Sequence, residues 1–284
     1  MPAVVLAMFP FFAQAKDVLA PDALDAEASS KDFSVWGQSL YGKVDRETET
    51  RQPGFRGETK GVTVGADGYV VSDFSFGMAY TYAETDESGS DGSSATVDNN
   101  TVFAYGHYQP NDFFVDAAAA YGWGDGNRTS AAGVSEKFDS KMVLGQLLSG
   151  LSYENSAPLY GVRYVNFRTI PAMGNRLSSD VLTGIVKVQA GKTFATAENV
   201  SVRPEGSFAF TYDFISDSDA VVVLLPNGAG YAVDGKRLNR LGAELTVRLK
   251  VRMFERFELS AGYSGAFKPD FLNHAVTFRM RFDF

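Results

Sequence analysis

Cysteine is absent from all 284 residues, which excludes disulfides, thiolate-held metals and a cysteine nucleophile. Histidine is almost absent: His107 and His274 stand alone, leaving little for chemistry that turns on an imidazole. After the first fifteen positions no apolar run approaches the roughly 20 residues of a membrane-crossing helix, so helical spans are excluded. Positive charge is also short, with 26 Lys and Arg against 34 Asp and Glu and a net charge of -8. Nucleic acid needs clustered, uncompensated cations and is therefore discarded as a partner. The serines show no Gly-x-Ser-x-Gly elbow, and the glycine-rich piece 61–68 has no helix after it to bind phosphate.

The chain is rich in Phe (23), Tyr (13) and Gly (28), a mixture suited to strands that pack on small residues and show aromatic faces. From Ser34 onward apolar and polar residues alternate in segments separated by turn signals. This period-2 template predicts about twelve strands. Their spans are 34–44, 61–70, 74–83, 99–108, 113–123, 138–153, 159–168, 181–194, 201–212, 238–251, 257–267 and 274–284. In the last, Val276, Phe278, Met280, Phe282 and Phe284 share one face and Thr277, Arg279, Arg281 and Asp283 the other. The eleventh sets Phe257, Leu259, Ala261 and Tyr263 against Glu258, Ser260, Gly262 and Ser264. The tenth sets Leu241, Leu245, Val247 and Leu249 against Glu244, Thr246, Arg248 and Lys250. The third opposes Phe74, Phe76, Met78, Tyr80 and Tyr82 to Ser75, Gly77, Ala79 and Thr81. Charges on consecutive strands then converge on one interior, whereas the first, fourth and sixth strands can be read with either face apolar.

Connections alternate in length, as the two ends of a membrane barrel require. Those at 71–73, 109–112, 154–158, 195–200 and 252–256 are short. Those at 45–60, 84–98, 124–137, 169–180 and 213–237 are long and rich in Gly, Ser, Asp and Glu, as exposed loops are. The last, 268–273, is short on the outer side. The longest carries Val221 to Leu225 and Tyr231 to Val233 around Pro226, Asn227 and Gly228, read as a hairpin extending strands nine and ten. The fold expected is an all-β, antiparallel, up-and-down transmembrane barrel in a bacterial outer membrane, over residues 34–284. The lack of cysteine suits a protein that crosses an oxidising periplasm unfolded. His107 and His274 both fall near the periplasmic rim on this reading, as interfacial residues rather than bases. Residues 1–33 form a separate segment. Its opening, MPAVVLAMFPFFAQA, ends in Ala-Gln-Ala before Lys16 but lacks a basic start. A cleaved signal peptide and an arbitrary start within a longer polypeptide both stay open, and the stretch is too short for an anchor.

The order of motifs resembles the autotransporter β-domain family. VWGQSLYG at 35–42 is similar to that family's first-strand Trp-Gly signature, and GVTVGADGYVVSDFSFGMAYTY at 61–82 to its second hairpin. NTVFAYGHYQPNDFFVDAAAAYGWGD at 100–125, VSVRPEGSFAFTYDF at 200–214 and the terminal strand follow in the family's order. The resemblance implies a type V secretion translocator that exports or displays an N-terminal passenger, is no enzyme and needs no cofactor. It further implies that Phe278, Met280, Phe282 and Phe284 serve as assembly signal for the barrel-assembly machinery as well as lipid contact. A monomer in the lipid bilayer is expected, its lumen charges being Glu244, Arg248, Lys250, Glu258, Arg279 and Arg281. In the family a helix before the first strand lies in the pore; the candidate is 17–30, DVLAPDALDAEASS, whose Asp22, Asp25 and Glu27 would pair with lumen cations. A disordered tail is the other reading of that segment. Self-cleaving members often cut at paired Asn; residues 1–33 hold none, and Asn99 and Asn100 open a strand, so self-cleavage is not expected. Two other functions remain open: a stand-alone surface antigen or adhesin working through its loops, and a passive pore.

Overall fold

The computed structural model describes residues 6–10, 33–46, 54–151, 159–169, 178–218, 220–224, 229–234, 239–269 and 271–284. Twelve long strands dominate: β1 (Ser34–Arg46), β2 (Phe55–Val71), β3 (Phe74–Gly89), β4 (Ser94–Tyr108), β5 (Phe113–Thr129) and β6 (Ser135–Leu151) form the first half. The second half is β7 (Leu159–Thr169), β8 (Ser178–Gly191), β9 (Val200–Ser218), β10 (Leu241–Met253), β11 (Phe257–Lys268) and β12 (Phe271–Asp283). Each pairs antiparallel with its neighbours in sequence. β9 bonds both β8 and β10, and β12 returns to β1, matching Phe271 with Arg46 and Asp283 with Ser34. The ring therefore closes and no long strand is left with an open edge.

Alternation decides which way each strand faces. On β12, Val276, Phe278, Met280, Phe282 and Phe284 are exposed outward, while Asn273, Ala275 and Asp283 are buried inward. The same inversion of a soluble core runs around the ring: Val62, Val64, Met78, Phe210, Val247 and Leu249 face out, and Thr63, Thr81, Gln146, Thr211 and Lys250 face in. Water cannot be the favoured neighbour of such an apolar exterior, whereas lipid can. Strands left ambiguous by sequence are settled here, because β1 turns Trp36, Leu40 and Val44 inward and Val35 and Tyr41 outward.

Several expectations are corrected. Segments 84–98 and 124–137, expected as long outer loops, are continuations of strands: Glu84 pairs with Asp98 and Ser88 with Ser94, and Asn127 pairs with Lys137 and Thr129 with Ser135. Beyond the bilayer the outward face of a strand meets water instead of lipid, so polar residues on that face, read as loop, are compatible with β-pairing, while Thr85, Glu87, Ala95 and Val97 stay buried on the inward face. Strands of 15 to 17 residues in this region exceed the roughly 10 that cross a membrane, and the surplus stands on the outer side. The expected hairpin forms, with Ala220–Leu224 paired to Ala229–Asp234, but it does not extend β9 and β10. It makes its own three-stranded sheet with Leu6–Pro10 as the third member. The eighth strand ends at Gly191, and Phe194–Ala197 folds back on the start of β9. His274 lies near the outer end of the barrel, opposite the rim assigned to it, because β12 runs inward from Phe271 to Asp283. It faces outward beside Tyr263 and Phe267, in the outer aromatic belt.

Candidate functional site

The interior of the ring is the candidate site, and its charges fall mainly on β8 to β12. Glu205 on β9 gathers three cations: Arg203 Nε at 2.9 Å, Lys250 Nζ at 3.1 Å and, more distantly, Arg248 Nη1 at 3.9 Å. The Arg203 contact is close in distance without hydrogen-bond alignment. Glu244 accepts from Arg163 at 2.9 Å across the lumen from β7. Nearer the outer mouth, Asp213 accepts from Lys268 at 2.6 Å and from Thr183 at 2.8 Å. The wall from β3 to β6 is different: between Glu87 at its outer end and the His107–Asp116 pair at its periplasmic end, Ala79, Ala83, Ala120 and Leu144 stand beside the neutral polar side chains of Thr81, Asn99, Thr101 and Gln146.

A second cluster ties the periplasmic end together. Arg281 donates through Nη2 and Nη1 to Asp67 at 2.7 and 3.3 Å and through Nε to Asp283 at 2.9 Å. Its Nη2 also reaches Ser34 at 2.7 Å, and the Ser34 hydroxyl donates to Asp283 at 2.7 Å. Arg252 supplies Asp283 with a further donor at 2.7 Å. Trp36 donates to Tyr105 at 3.2 Å, and Tyr105 donates to Asp67 at 3.0 Å. This chain crosses the seam where β12 meets β1, so the two ends of the barrel are joined by side chains as well as by backbone pairing. Asp67, Ser34, Tyr105 and Arg252 were not singled out from sequence; their roles depend on register across strands far apart in the chain.

The sequence-predicted positions distribute plainly. Glu244, Arg248, Lys250, Arg279 and Arg281 lie on inward-facing positions, as does Glu258, the register partner of Arg281. Phe278, Met280, Phe282 and Phe284 lie outward, with the Phe284 ring 5.0 Å from Phe282 and 5.8 Å from Phe33. Asp22, Asp25 and Glu27 lie outside the described residues. His107 is buried near the periplasmic end, with Nδ1 2.5 Å from Asp116 and Nε2 3.2 Å from Gln109. Both ring nitrogens are engaged, an arrangement that fixes a ring in place rather than freeing a base. Glu87 stands on the outer part of β3, past the outward-facing Glu84 and Asp86, and so beyond the bilayer. Burial without a charged partner pushes its carboxyl up to about 8.

A closed, antiparallel ring with an apolar exterior and a charged lumen defines a transmembrane β-barrel of the outer membrane. The autotransporter beta-domain family profile matches residues 35–264, and the chain belongs to that family. Its fold is similar to the translocator domain of autotransporter NalP from Neisseria meningitidis, at 15% identity and TM-score 0.66, covering 96% of each chain. The beta domain of the Bordetella autotransporter BrkA gives 16% identity and TM-score 0.64, covering 89% of this chain and all of that one. The transport unit of AIDA-I from Escherichia coli gives 10% and 0.59, covering 96% of this chain and 97% of that one. Among curated proteins, outer membrane protein A of Rickettsia rickettsii is 29% identical over 154 residues. That match takes in 46% of this chain but 7% of the relative, so the chain spans a small part of the relative's length. The chain is thus an outer-membrane translocator barrel, a transport domain.

Proposed function

We propose that this barrel supports export or surface display of a polypeptide joined to its N-terminal side, with residues 17–30 held in the lumen. The observation that carries the reading is the contrast between faces: a charged, hydrogen-bonding lumen enclosed by an apolar wall gives a polypeptide a polar route through lipid. The barrel-assembly machinery inserts the chain, reading the outward row that ends in Phe282 and Phe284, and the barrel then works as a monomer in the bilayer. Folding of the passenger outside the cell supplies direction.

Single-channel conductance in planar bilayers tests this, comparing the chain from Lys16 with one lacking residues 16–32. The expected result is a nearly closed barrel that becomes a steady open pore on deletion. Equal conductance would remove the segment from the lumen and move a passive pore ahead.

A further inference from the structure

We propose that the outer rim of β12, β1 and β2 binds the phosphate of an outer-leaflet lipid headgroup, so that one lipid spans the seam where the ring closes. The inference rests on the outer-membrane location of the barrel and not on the export reading. On the outward face of β2, Val64 and Val62 meet lipid, and Lys60, Glu58 and Arg56 follow toward the outer end. The same face carries Tyr41 and then Lys43 on β1, and Val276 and then His274 on β12. Register brings these together, because His274 is the partner of Lys43 and Tyr41 of Lys60. Directly opposed residues lie roughly 4.5–5.5 Å apart at Cα, so nitrogen-bearing side chains from three strands share one patch. The patch stands at the level of the aromatic belt, where hydrocarbon gives way to headgroups.

Neighbouring side chains hold the patch in place. Lys43 Nζ lies 2.7 Å from Glu58 and 5.8 Å from the centre of the Tyr41 ring, and the Tyr41 hydroxyl donates to the other Glu58 oxygen at 3.2 Å. The Tyr263 hydroxyl donates to His274 Nδ1, which leaves the ring proton on Nε2 as a further donor. Arg56 meets Asp45 through Nε at 2.7 Å, whereas Lys60 holds no carboxylate of its own among the described residues. Lys43, Arg56 and Lys60 thus stand against Asp45 and Glu58, and the surplus is positive. The outward rim of β3 to β6 has the other sign, with Glu84, Asp86, Asp98, Asp125 and Asp139 against Lys137 and Lys141. A lipid phosphate is drawn to the first wall and repelled by the second. A phosphate monoester carries about 1.5–2 negative charges against a single one on Glu58, enough to engage Lys60 and His274 while Lys43 is shared. The lysine stems run along the apolar wall with their charges at the interface, and the acyl chains of the lipid lie beside Val62, Val64, Val276 and Phe278.

Native mass spectrometry of the full chain, folded in neutral detergent, tests this by comparing retention of diphosphoryl lipid A with that of the same lipid stripped of its phosphates. The phosphorylated lipid is expected to bind about tenfold more tightly, and Lys43→Gln combined with Lys60→Gln should abolish the difference, as loss of charge-assisted bonds predicts. Equal retention of the two lipids by the unaltered chain overturns the site, and this arm carries the test if the double variant does not fold. A folded double variant that keeps the difference overturns it as well. Lys137→Gln combined with Lys141→Gln, on the wall of opposite sign, should leave retention unchanged. An equal fall there would mean that net charge rather than this patch draws the lipid, which overturns the assignment. Displacement of the lipid by inorganic phosphate alone would mean that the patch takes a free anion, and would remove the lipid headgroup as its ligand.

Discussion

Two aromatic side chains near the periplasmic end lie over glycines on the neighbouring strand. Trp36 is the register partner of Gly65, and Tyr105 of Gly77. A Cβ at Gly65 would stand 2.4 Å from the Trp36 ring and one at Gly77 would stand 2.2 Å from the Tyr105 ring, closer than any real contact. The rings therefore need those glycines, and the bonds from Trp36 to Tyr105 and from Tyr105 to Asp67 need the rings where they are. Gly77→Val should displace Tyr105 and cost about 2–3 kcal/mol, the scale of overpacking in a tight site. Gly145→Ala, where a Cβ meets nothing within 4 Å, should change stability by less than about 0.5 kcal/mol. Urea unfolding in detergent, read by heat-modifiable migration, separates the two; equal midpoints would mean that the Tyr105 ring moves aside freely. The Trp-Gly pair of β1 was visible as a motif, but the glycine beneath the ring belongs to β2, and only pairing register reveals it.

At the scale of the element, the outer extensions of β3 to β6 place like charges side by side. Glu84 is the register partner of Asp98, Asp98 of Asp125, and Asp125 of Asp139, and all four face outward. Directly opposed residues in antiparallel strands sit roughly 4.5–5.5 Å apart, and like charges so placed repel. Exposed charges are screened by salt, with a Debye length of about 30 Å at 0.01 M and about 3 Å at 1 M. The unfolding midpoint of the barrel in neutral detergent should rise with salt over that range. Asp125→Asn, which interrupts the row, should raise the low-salt midpoint and flatten the dependence. A salt response identical in both proteins would mean the row carries no net strain. These segments were read from sequence as loops because their Asp, Ser and Gly content signals turns. The period-2 pattern was legible where one face met lipid, on β3 and on β10 to β12, and faded where the outward face met water instead.

For the whole molecule, closure joins residues from opposite ends of the barrel chain. β1 and β12 pair along thirteen residues each, and the Arg281 cluster bridges the same seam. Strand number could be read from alternation, and so could facing outside the first, fourth and sixth strands, because each depends on neighbours in sequence. The seam network could not, since Ser34 and Asp283 are 249 positions apart. Transport through the lumen needs that seam to stay shut, whereas a route that parts the strands needs it to open. Leu40 and Thr277 are register partners on the inner face, and paired strands bring Cα atoms to roughly 4.5–5.5 Å, within the usual disulfide range. Leu40→Cys with Thr277→Cys should therefore form a disulfide after assembly in a chain that has no other cysteine. If the lumen is the route, a passenger fused upstream should still reach the surface once the oxidised barrel is in place, at the rate seen with reductant present. Export that stops on oxidation and resumes on reduction would mean that β1 and β12 separate during transport, and that the polar lumen by itself is too narrow to carry the chain.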